Sequence, residues 1–111
     1  MKTYQAFSKE RYNELQLQQI RLGMEKGLNV TYYLSPKFNW IQMYHIRKGL
    51  ELGLPVSVYA KVEFNEGQML QIKQALIDGV DYTMLLDSDI FDYEMAAIRK
   101  KLLSDKLTNA A

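Results

Sequence analysis

The chain has 111 residues and a formal net charge of +1, so bulk charge gives no reason to expect nucleic acid or an anionic membrane as its partner. It contains no cysteine and a single histidine, His45, so thiolate chemistry and disulfides are excluded and we expect neither a metal site nor a cofactor. No segment approaches the roughly 18 apolar residues of a membrane span, and the first residues lack the apolar run of a signal peptide, so we expect a cytoplasmic protein.

A repeat of 26 residues sets the order of the elements. Its register is marked by four residues, Tyr12, Phe38, Phe64 and Ile90. The columns behind them are an amide or acid (Gln16, Gln42, Gln68, Glu94), two apolar positions (Leu17, Met43, Met69, Met95; Ile20, Ile46, Ile72, Ile98), a basic position (Arg21, Arg47, Lys73, Arg99) and a further apolar one (Met24, Leu50, Leu76, Leu102). A fixed period of this length is typical of a solenoid, in which each unit buries its apolar face against its neighbours.

Residues 1–11 come before the first complete unit. Tyr4 and Phe7 lie 26 residues before Val30 and Tyr33. They predict a half unit that caps the start of the stack.

Each unit then predicts a long helix. Asn13, Asn39 and Asn65 are each followed three residues later by a glutamine, which is the pattern of a capping box. Gly27, Gly53 and Gly79 follow the apolar stripe in the position of a left-handed C-cap. These signals predict helices that begin near residues 13, 39, 65 and 91.

A second, shorter pattern follows each glycine. It reads Val30-Thr31-x-Tyr33, Val56-Ser57-x-Tyr59 and Tyr82-Thr83-x-Leu85. A Ser or Thr before apolar residues predicts an N-cap and a brief helical or 3₁₀ turn. The alternation in residues 56–59 also fits a strand, but a strand would need partners at every repeat.

The mid-helix column of small residues and the divergent last unit complete the fold prediction. Gly23, Gly49 and Ala75 are expected to let neighbouring helices approach. In the last unit this column holds Lys101, and the column of C-cap glycines holds Asp105, which indicates a terminal unit. We predict an all-α protein, a short α-solenoid of about 3.5 repeats, each a long helix plus a short helix or 3₁₀ turn. The single repeat domain divides into a cap at 1–11, repeats at 12–37, 38–63 and 64–89, and a C-terminal capping repeat at 90–111.

The second unit carries a recognisable pattern. It reads Gln42-Met43-x-x-Ile46-Arg47-x-Gly49-Leu50-Glu51-x-Gly53-Leu54-x-Val56-x-x-Tyr59-Ala60. This string resembles a short tandem repeat of small proteins from Gram-positive bacterial mobile elements and phages. The resemblance covers about residues 12–103; it implies an accessory protein of mobile DNA that binds, and inhibits, a host protein such as a defence nuclease, and it carries over no catalytic residue.

The residues predicted to bind a protein partner lie on the second and third helices. They are Trp40, Tyr44, Arg47, Glu51, Leu70 and Lys73. Helical spacing places the first four in one row, and the same row of the first unit is wholly polar, so stacking does not require aromatic residues there. Two alternatives stay open: Trp40 packs on the adjacent short helix, or a patch of Trp40, Tyr44, Leu70 and Ile77 forms a homodimer.

Two charged groups suggest other partners. The basic column Arg21, Arg47, Lys73 and Arg99 would form a ladder able to follow a phosphate backbone, but it could equally pair with Glu25 and Glu51. The acidic residues Asp78, Asp81, Asp87, Asp89, Asp92 and Glu94 would form a patch for a basic partner. The calcium-loop pattern fails at Asp92 and Ile98, where glycine and glutamate are needed, so Asp89 or Asp92 is expected to cap the fourth helix instead.

Catalysis has little support in the sequence. His45 is predicted on the outer side of its helix without a supporting carboxylate, and the serines lack a base. We therefore expect a protein-binding module that is not an enzyme, with nucleic-acid binding or homo-oligomeric assembly as the alternatives.

Overall fold

The computed structural model describes residues 11–109, and the regular secondary structure in that range is entirely helical. The long helices are α1 (Glu14–Glu25), α2 (Trp40–Glu51), α3 (Glu66–Asp78) and α4 (Asp92–Asn109). Three 3₁₀ helices, at Val30–Tyr33, Val56–Val58 and Tyr82–Leu85, follow the first three. The prediction of an all-α protein is confirmed, and the strand alternative is wrong. Tyr4 and Phe7, predicted to form a half unit, lie outside the described residues.

The long helices begin and end on the signals that the sequence carries. Asn39 accepts a hydrogen bond from the Gln42 N–H at 2.9 Å, and Gln42 accepts one from the Asn39 N–H at 2.8 Å. Asn13 and Asn65 form the same capping box. The predicted C-cap glycines, Gly27, Gly53 and Gly79, have φ angles of 71°, 71° and 69°. Both kinds of cap are thus confirmed, and each satisfies helix-end groups that would otherwise lack partners.

The caps of the 3₁₀ helices correct a prediction. Asn29 accepts a hydrogen bond from the Thr31 N–H at 3.2 Å, and Asp81 accepts one from the Thr83 N–H at 3.0 Å. Both threonines lie inside their 3₁₀ helices, and the second 3₁₀ helix follows Pro55 without a side-chain cap. The N-cap therefore lies two residues earlier than predicted, since the Asn29 and Asp81 side chains accept from the N–H two residues on, as in an Asx turn.

The core is a continuous set of apolar residues from successive helices. Ile20, Met43, Ile46, Met69 and Ile72 are fully buried. α1 packs on α2, α2 on α3 and α3 on α4, while the first 3₁₀ helix contacts both α1 and α2. The molecule measures 53 × 27 × 16 Å, and the main contacts between long helices join consecutive helices.

The small residues in the middle of α1 and α2 give room to side chains of the 3₁₀ helix that follows each of them, so the helix that they let approach is this short one. Tyr59 Oη donates to the His45 carbonyl at 2.6 Å, and a Cβ at Gly49 would collide with this hydroxyl and lie 2.6 Å from Val56 Cγ1. Tyr33 and Gly23 repeat the arrangement. In the third unit the tyrosine is replaced by Leu85 and the glycine by Ala75. Glycine in the long helix is thus paired with tyrosine in the 3₁₀ helix, and the larger alanine is paired with the smaller leucine.

The last helix ends the series differently. The Phe91 N–H donates to Glu94 Oε1 at 3.0 Å, and Phe91 stands where the other helices have an asparagine cap. Asp92 is the first residue of the helix and Asp89 belongs to the preceding turn, so neither caps α4 as predicted. α4 continues to Asn109, and Lys106 Nζ donates to the Asp78 carbonyl at 2.8 Å at the end of α3. Within residues 11–109, no helix has the length and apolar character needed to cross a membrane.

Candidate functional site

Glutamines at the third position of the long helices join each unit to the next. While Oε1 of each glutamine accepts its own N-cap N–H, Nε2 donates to a backbone carbonyl of the following unit. The three bonds are Gln16 to Phe38 at 2.6 Å, Gln42 to Phe64 at 2.6 Å and Gln68 to Ile90 at 2.7 Å. In α4 this column holds Glu94, whose ionised carboxylate has no hydrogen to donate.

The basic column also joins adjacent units. Arg47 Nε donates to Gln19 Oε1 at 2.8 Å, and Arg99 Nε donates to Gln71 Oε1 at 3.0 Å. Lys73 Nζ lies 3.0 Å from His45 Nδ1 in the equivalent place. Arg47 and Lys73 are only 7% and 8% exposed. The predicted ladder is therefore largely enclosed between helices, and Arg21 is its exposed member.

Three members of the basic column have a carboxylate partner, and two of these pairs, with Glu25 and Glu51, are the ones that the pairing alternative proposed. Arg21 pairs with Glu25 at 3.6 Å, Arg47 pairs with Glu51, and Arg99 Nη1 lies 3.1 Å from Asp78 Oδ2.

Glu51 is the most heavily paired of these acids. Lys26 and Lys48 lie 3.3 Å and 3.5 Å from its Oε1. Burial raises the pKa of Glu51, but the hydrogen bond from Lys26 and the charges of Arg47 and Lys48 outweigh that effect, so the pKa is below its usual value. Glu51 thus holds three cations around one carboxylate and is committed to the α1–α2 contact.

Lys73 has a different environment. Ile77 occupies the place that Glu51 has relative to Arg47, and the described residues contain no salt bridge to Lys73. Its ammonium lies 5.7 Å from the centre of the Tyr44 ring, a cation–π distance. Burial, assisted by the charge of Lys48, lowers the pKa of Lys73.

His45 is buried, 9% exposed, and the prediction that it lies on the outer side of α2 is wrong. Burial lowers its pKa to about 4, the charge of Lys73 acts in the same direction, and Glu66 opposes both. The imidazole is therefore neutral at pH 7, and a neutral ring can accept a hydrogen bond from Lys73 at Nδ1. His45 is a structural acceptor between α2 and α3.

Exposed apolar residues on α2 and α3 form the candidate face. Trp40, Leu70 and Ile77 are 36%, 40% and 46% exposed, and Tyr44 is half-buried. Leu70, Lys73 and Ile77 are three and seven residues apart on α3, so they share one side of that helix. We call Trp40, Tyr44, Leu70, Lys73 and Ile77 the α2–α3 face. Arg47 and Glu51 were also predicted to bind a partner, but they form an ion pair with each other and are not part of this face.

The predicted acidic patch consists mostly of residues that stabilise turns and helix ends. Asp78 accepts from Gln74 Nε2 at 3.0 Å as well as from Arg99, and Asp81 accepts from Thr83. Asp87 accepts from the Asp89 N–H, and the Asp92 carboxylate lies against Gly67. Within residues 11–109 no group of three or more histidine, aspartate or glutamate side chains is arranged to hold a metal ion.

Sequence reasoning missed the glutamines that join the units. Gln19 and Gln71 occupy one column with His45, and each accepts from the basic residue 28 positions later. Their signal in the sequence was a polar column that recurs at a constant offset from a basic one.

Comparisons with protein-family models, with curated proteins and with solved structures find no match to this chain. The resemblance to repeats of mobile elements and phages thus stays a prediction from the repeat residues.

Proposed function

We propose that the chain is a short α-solenoid of about 3.5 units whose function is to bind another protein. The hydrogen bonds from Gln16, Gln42 and Gln68 recur at the repeat interval, and the main helix contacts join consecutive helices. Both properties are those of an assembly in which each unit contacts only its neighbours. Solenoids commonly use an extended side surface for binding rather than an enclosed cleft.

The observation that carries the proposal is the apolar exposure on the α2–α3 face. Trp40, Leu70 and Ile77 keep more than a third of their surface in solvent. On α1 the equivalent row is Glu14, Gln18, Arg21 and Glu25. A polar row serves the helix packing equally well, so the apolar side chains on α2 and α3 have a purpose other than stacking, and clustered exposed apolar residues mark binding surfaces.

The proposed partner is a host protein, and the proposed role is that of a non-catalytic accessory protein of a mobile element or phage. This part of the proposal is supported by the resemblance of the repeat residues. Binding over a defence nuclease, with its inhibition, is the form of the role that the resemblance favours. The structure of the face supports the binding itself and leaves the choice of host protein to experiment.

Affinity capture from host lysate tests the proposal. The wild type, Trp40→Ala and Leu70→Ala would be compared at low and high salt, with Leu107→Ala as the matched control because Leu107 is exposed far along the chain, at the end of α4. We expect one discrete protein to be retained by the wild type and the control at both salt concentrations and lost from the two face variants. Apolar contacts resist salt, whereas phosphate contacts weaken steeply with it.

Two results would overturn the proposal. Recovery of nucleic acid alone, released by salt, would favour the basic column as the functional element. Self-association of the wild type in sedimentation experiments, abolished by Leu70→Ala, would favour a homodimer through the same face.

A further inference from the structure

We propose that Lys73 receives a carboxylate from the bound protein, so that the partner segment presents one acidic side chain flanked by apolar residues. This inference rests on the proposed function, because it places the acidic residue on the α2–α3 face. It names the chemistry of the partner, which the apolar exposure alone does not define.

The basic column itself shows what Lys73 lacks. Arg21, Arg47 and Arg99 each lie within 3.6 Å of a carboxylate oxygen. In the third unit the residue four positions after the base is Ile77, and the described residues place no carboxylate beside Lys73. Buried charges in proteins are ordinarily paired with an opposite charge. The Lys73 ammonium has no such counter-ion among the described residues, so a partner protein can supply one.

The neighbours of the ammonium stabilise it without neutralising it. Neutral His45 accepts one hydrogen bond from Lys73, and the Tyr44 ring provides a cation–π contact. An ammonium has three N–H donors, and the hydrogen bond to His45 uses one of them. Lys73 keeps 8% of its surface in solvent, beside the half-buried Tyr44 and the exposed Leu70 and Ile77, so a partner that packs on these three side chains also covers what is exposed of Lys73.

A single carboxylate fits this site better than a phosphate backbone. A polyanion needs several exposed cations in a row, and the neighbouring cation of the column, Arg47, is buried and paired with Glu51. One cation surrounded by apolar side chains matches one anion surrounded by apolar side chains. Covering the pair with apolar residues would remove water and strengthen the charge-assisted hydrogen bond.

Selection from a random peptide library displayed on phage tests this chemistry directly. The wild type, Lys73→Gln and Leu70→Ala would be used as bait with the same library. We expect the wild type to enrich peptides that carry Asp or Glu among apolar residues, and Lys73→Gln to lose that acidic preference. Urea unfolding of Lys73→Gln serves as the folding control, and its midpoint should not be lower than that of the wild type, since an unpaired buried charge is removed.

An enriched peptide then allows a double-substitution cycle. Replacing its acidic residue by the amide should weaken binding to the wild type about tenfold or more, and binding to Lys73→Gln less than about threefold, because a lost charge-assisted hydrogen bond counts only where its partner exists. If binding requires Leu70 but the amide substitution in the peptide weakens binding equally to the wild type and to Lys73→Gln, only the role of Lys73 is overturned. Peptides that bind without Leu70, or the absence of any bound peptide, would overturn the proposed function together with this inference.

Discussion

At the scale of single residues, one column shows how a polar position is used inside the helix packing. Gln19 and Gln71 accept hydrogen bonds from the arginines of the following units, and His45 takes the same role toward Lys73. Amide and imidazole acceptors are interchangeable in this geometry at neutral pH because each offers one lone pair in the direction of the base. They differ in that imidazole can be protonated and the amide cannot.

That difference gives a pH prediction for His45→Gln. The folded protein holds the pKa of His45 at about 4, against an unfolded value of 6.5. The unfolded chain therefore takes up the proton first as the pH falls. The stabilising contribution of the neutral imidazole is complete above pH 6.5 and is lost as the pH drops toward 4, by on the order of 2 kcal/mol between pH 7 and pH 5.

Urea unfolding at a series of pH values measures this loss. Wild-type stability should fall between pH 7 and pH 5, and His45→Gln should remove most of the fall while keeping an acceptor for Lys73. The lowered pKa of Glu51 adds a loss of its own only nearer the usual carboxyl range, so the comparison ends at pH 5. Parallel curves for the two proteins would contradict the burial and neutrality of His45.

The misplacement of His45 also shows the limit of sequence reasoning at this scale. A histidine aligned with two glutamines is most simply interpreted as solvent-exposed, because these residue types are mostly found at the surface. Its acceptor role depends on Lys73, 28 residues away and on another helix. Periodicity identifies which residues share a face of one helix, but it does not say which columns of neighbouring helices meet, so the enclosure of Arg47 and Lys73 was not foreseen either.

At the scale of elements, a long helix and its 3₁₀ helix form a fitted pair. The helix bounds could be predicted because asparagine, glutamine and glycine act within a few residues of their own position. The fit between Gly49 and Tyr59 is not local in this sense. It depends on the 3₁₀ helix folding back against α2, and only the paired change to Ala75 and Leu85 in the third unit hinted at it.

The pair can be tested by changing the second unit into the third. Gly49→Ala alone should cost about 2–3 kcal/mol of unfolding free energy despite its better helix propensity, because the added methyl collides with Tyr59. Tyr59→Leu alone should cost about 1–2 kcal/mol through the lost hydrogen bond to the His45 carbonyl. The double variant should be more stable than the sum of the two costs by at least about 1 kcal/mol.

Urea denaturation of the four proteins gives this coupling energy. The double variant should still be less stable than the wild type, because Val56 also lies close to the methyl group added at residue 49. Additive costs would mean that the helix and the 3₁₀ helix adapt independently, contrary to the close fit described above.

At the scale of the whole molecule, hydrogen bonds from glutamine side chains couple each unit to the next. Each of the three glutamines closes its own helix start and holds the chain just before the next one. A disturbance at one of these glutamines should therefore be felt on both sides of the join.

Gln42→Glu tests this coupling. The carboxylate keeps the acceptor for the Asn39 N–H but loses the donor to the Phe64 carbonyl, and it places a negative charge against that oxygen in a position that is 5% exposed. We expect a loss of about 2–3 kcal/mol, and faster hydrogen exchange in both α2 and α3.

The last unit supplies the matched control. Glu94→Gln makes the reverse exchange at an exposed site and should change stability by less than about 0.5 kcal/mol. Equal effects of the two substitutions, or faster exchange confined to α2, would show that the glutamine does not link the units.

The different chemistry of α4 determines how such a protein can grow by gene duplication. An extra 26-residue copy inserted between residues 63 and 64 would receive the hydrogen bond from the Gln42 amide of the unit before it. Its own acceptor column would face the basic residue Lys73 of the unit after it, so it would bind both neighbours. A copy appended beyond α4 would meet Glu94 and Ala97, which offer neither the amide hydrogens nor the acceptor used at the other joins. A duplicated copy inserted between two such units should therefore pack better than a copy placed directly after α4.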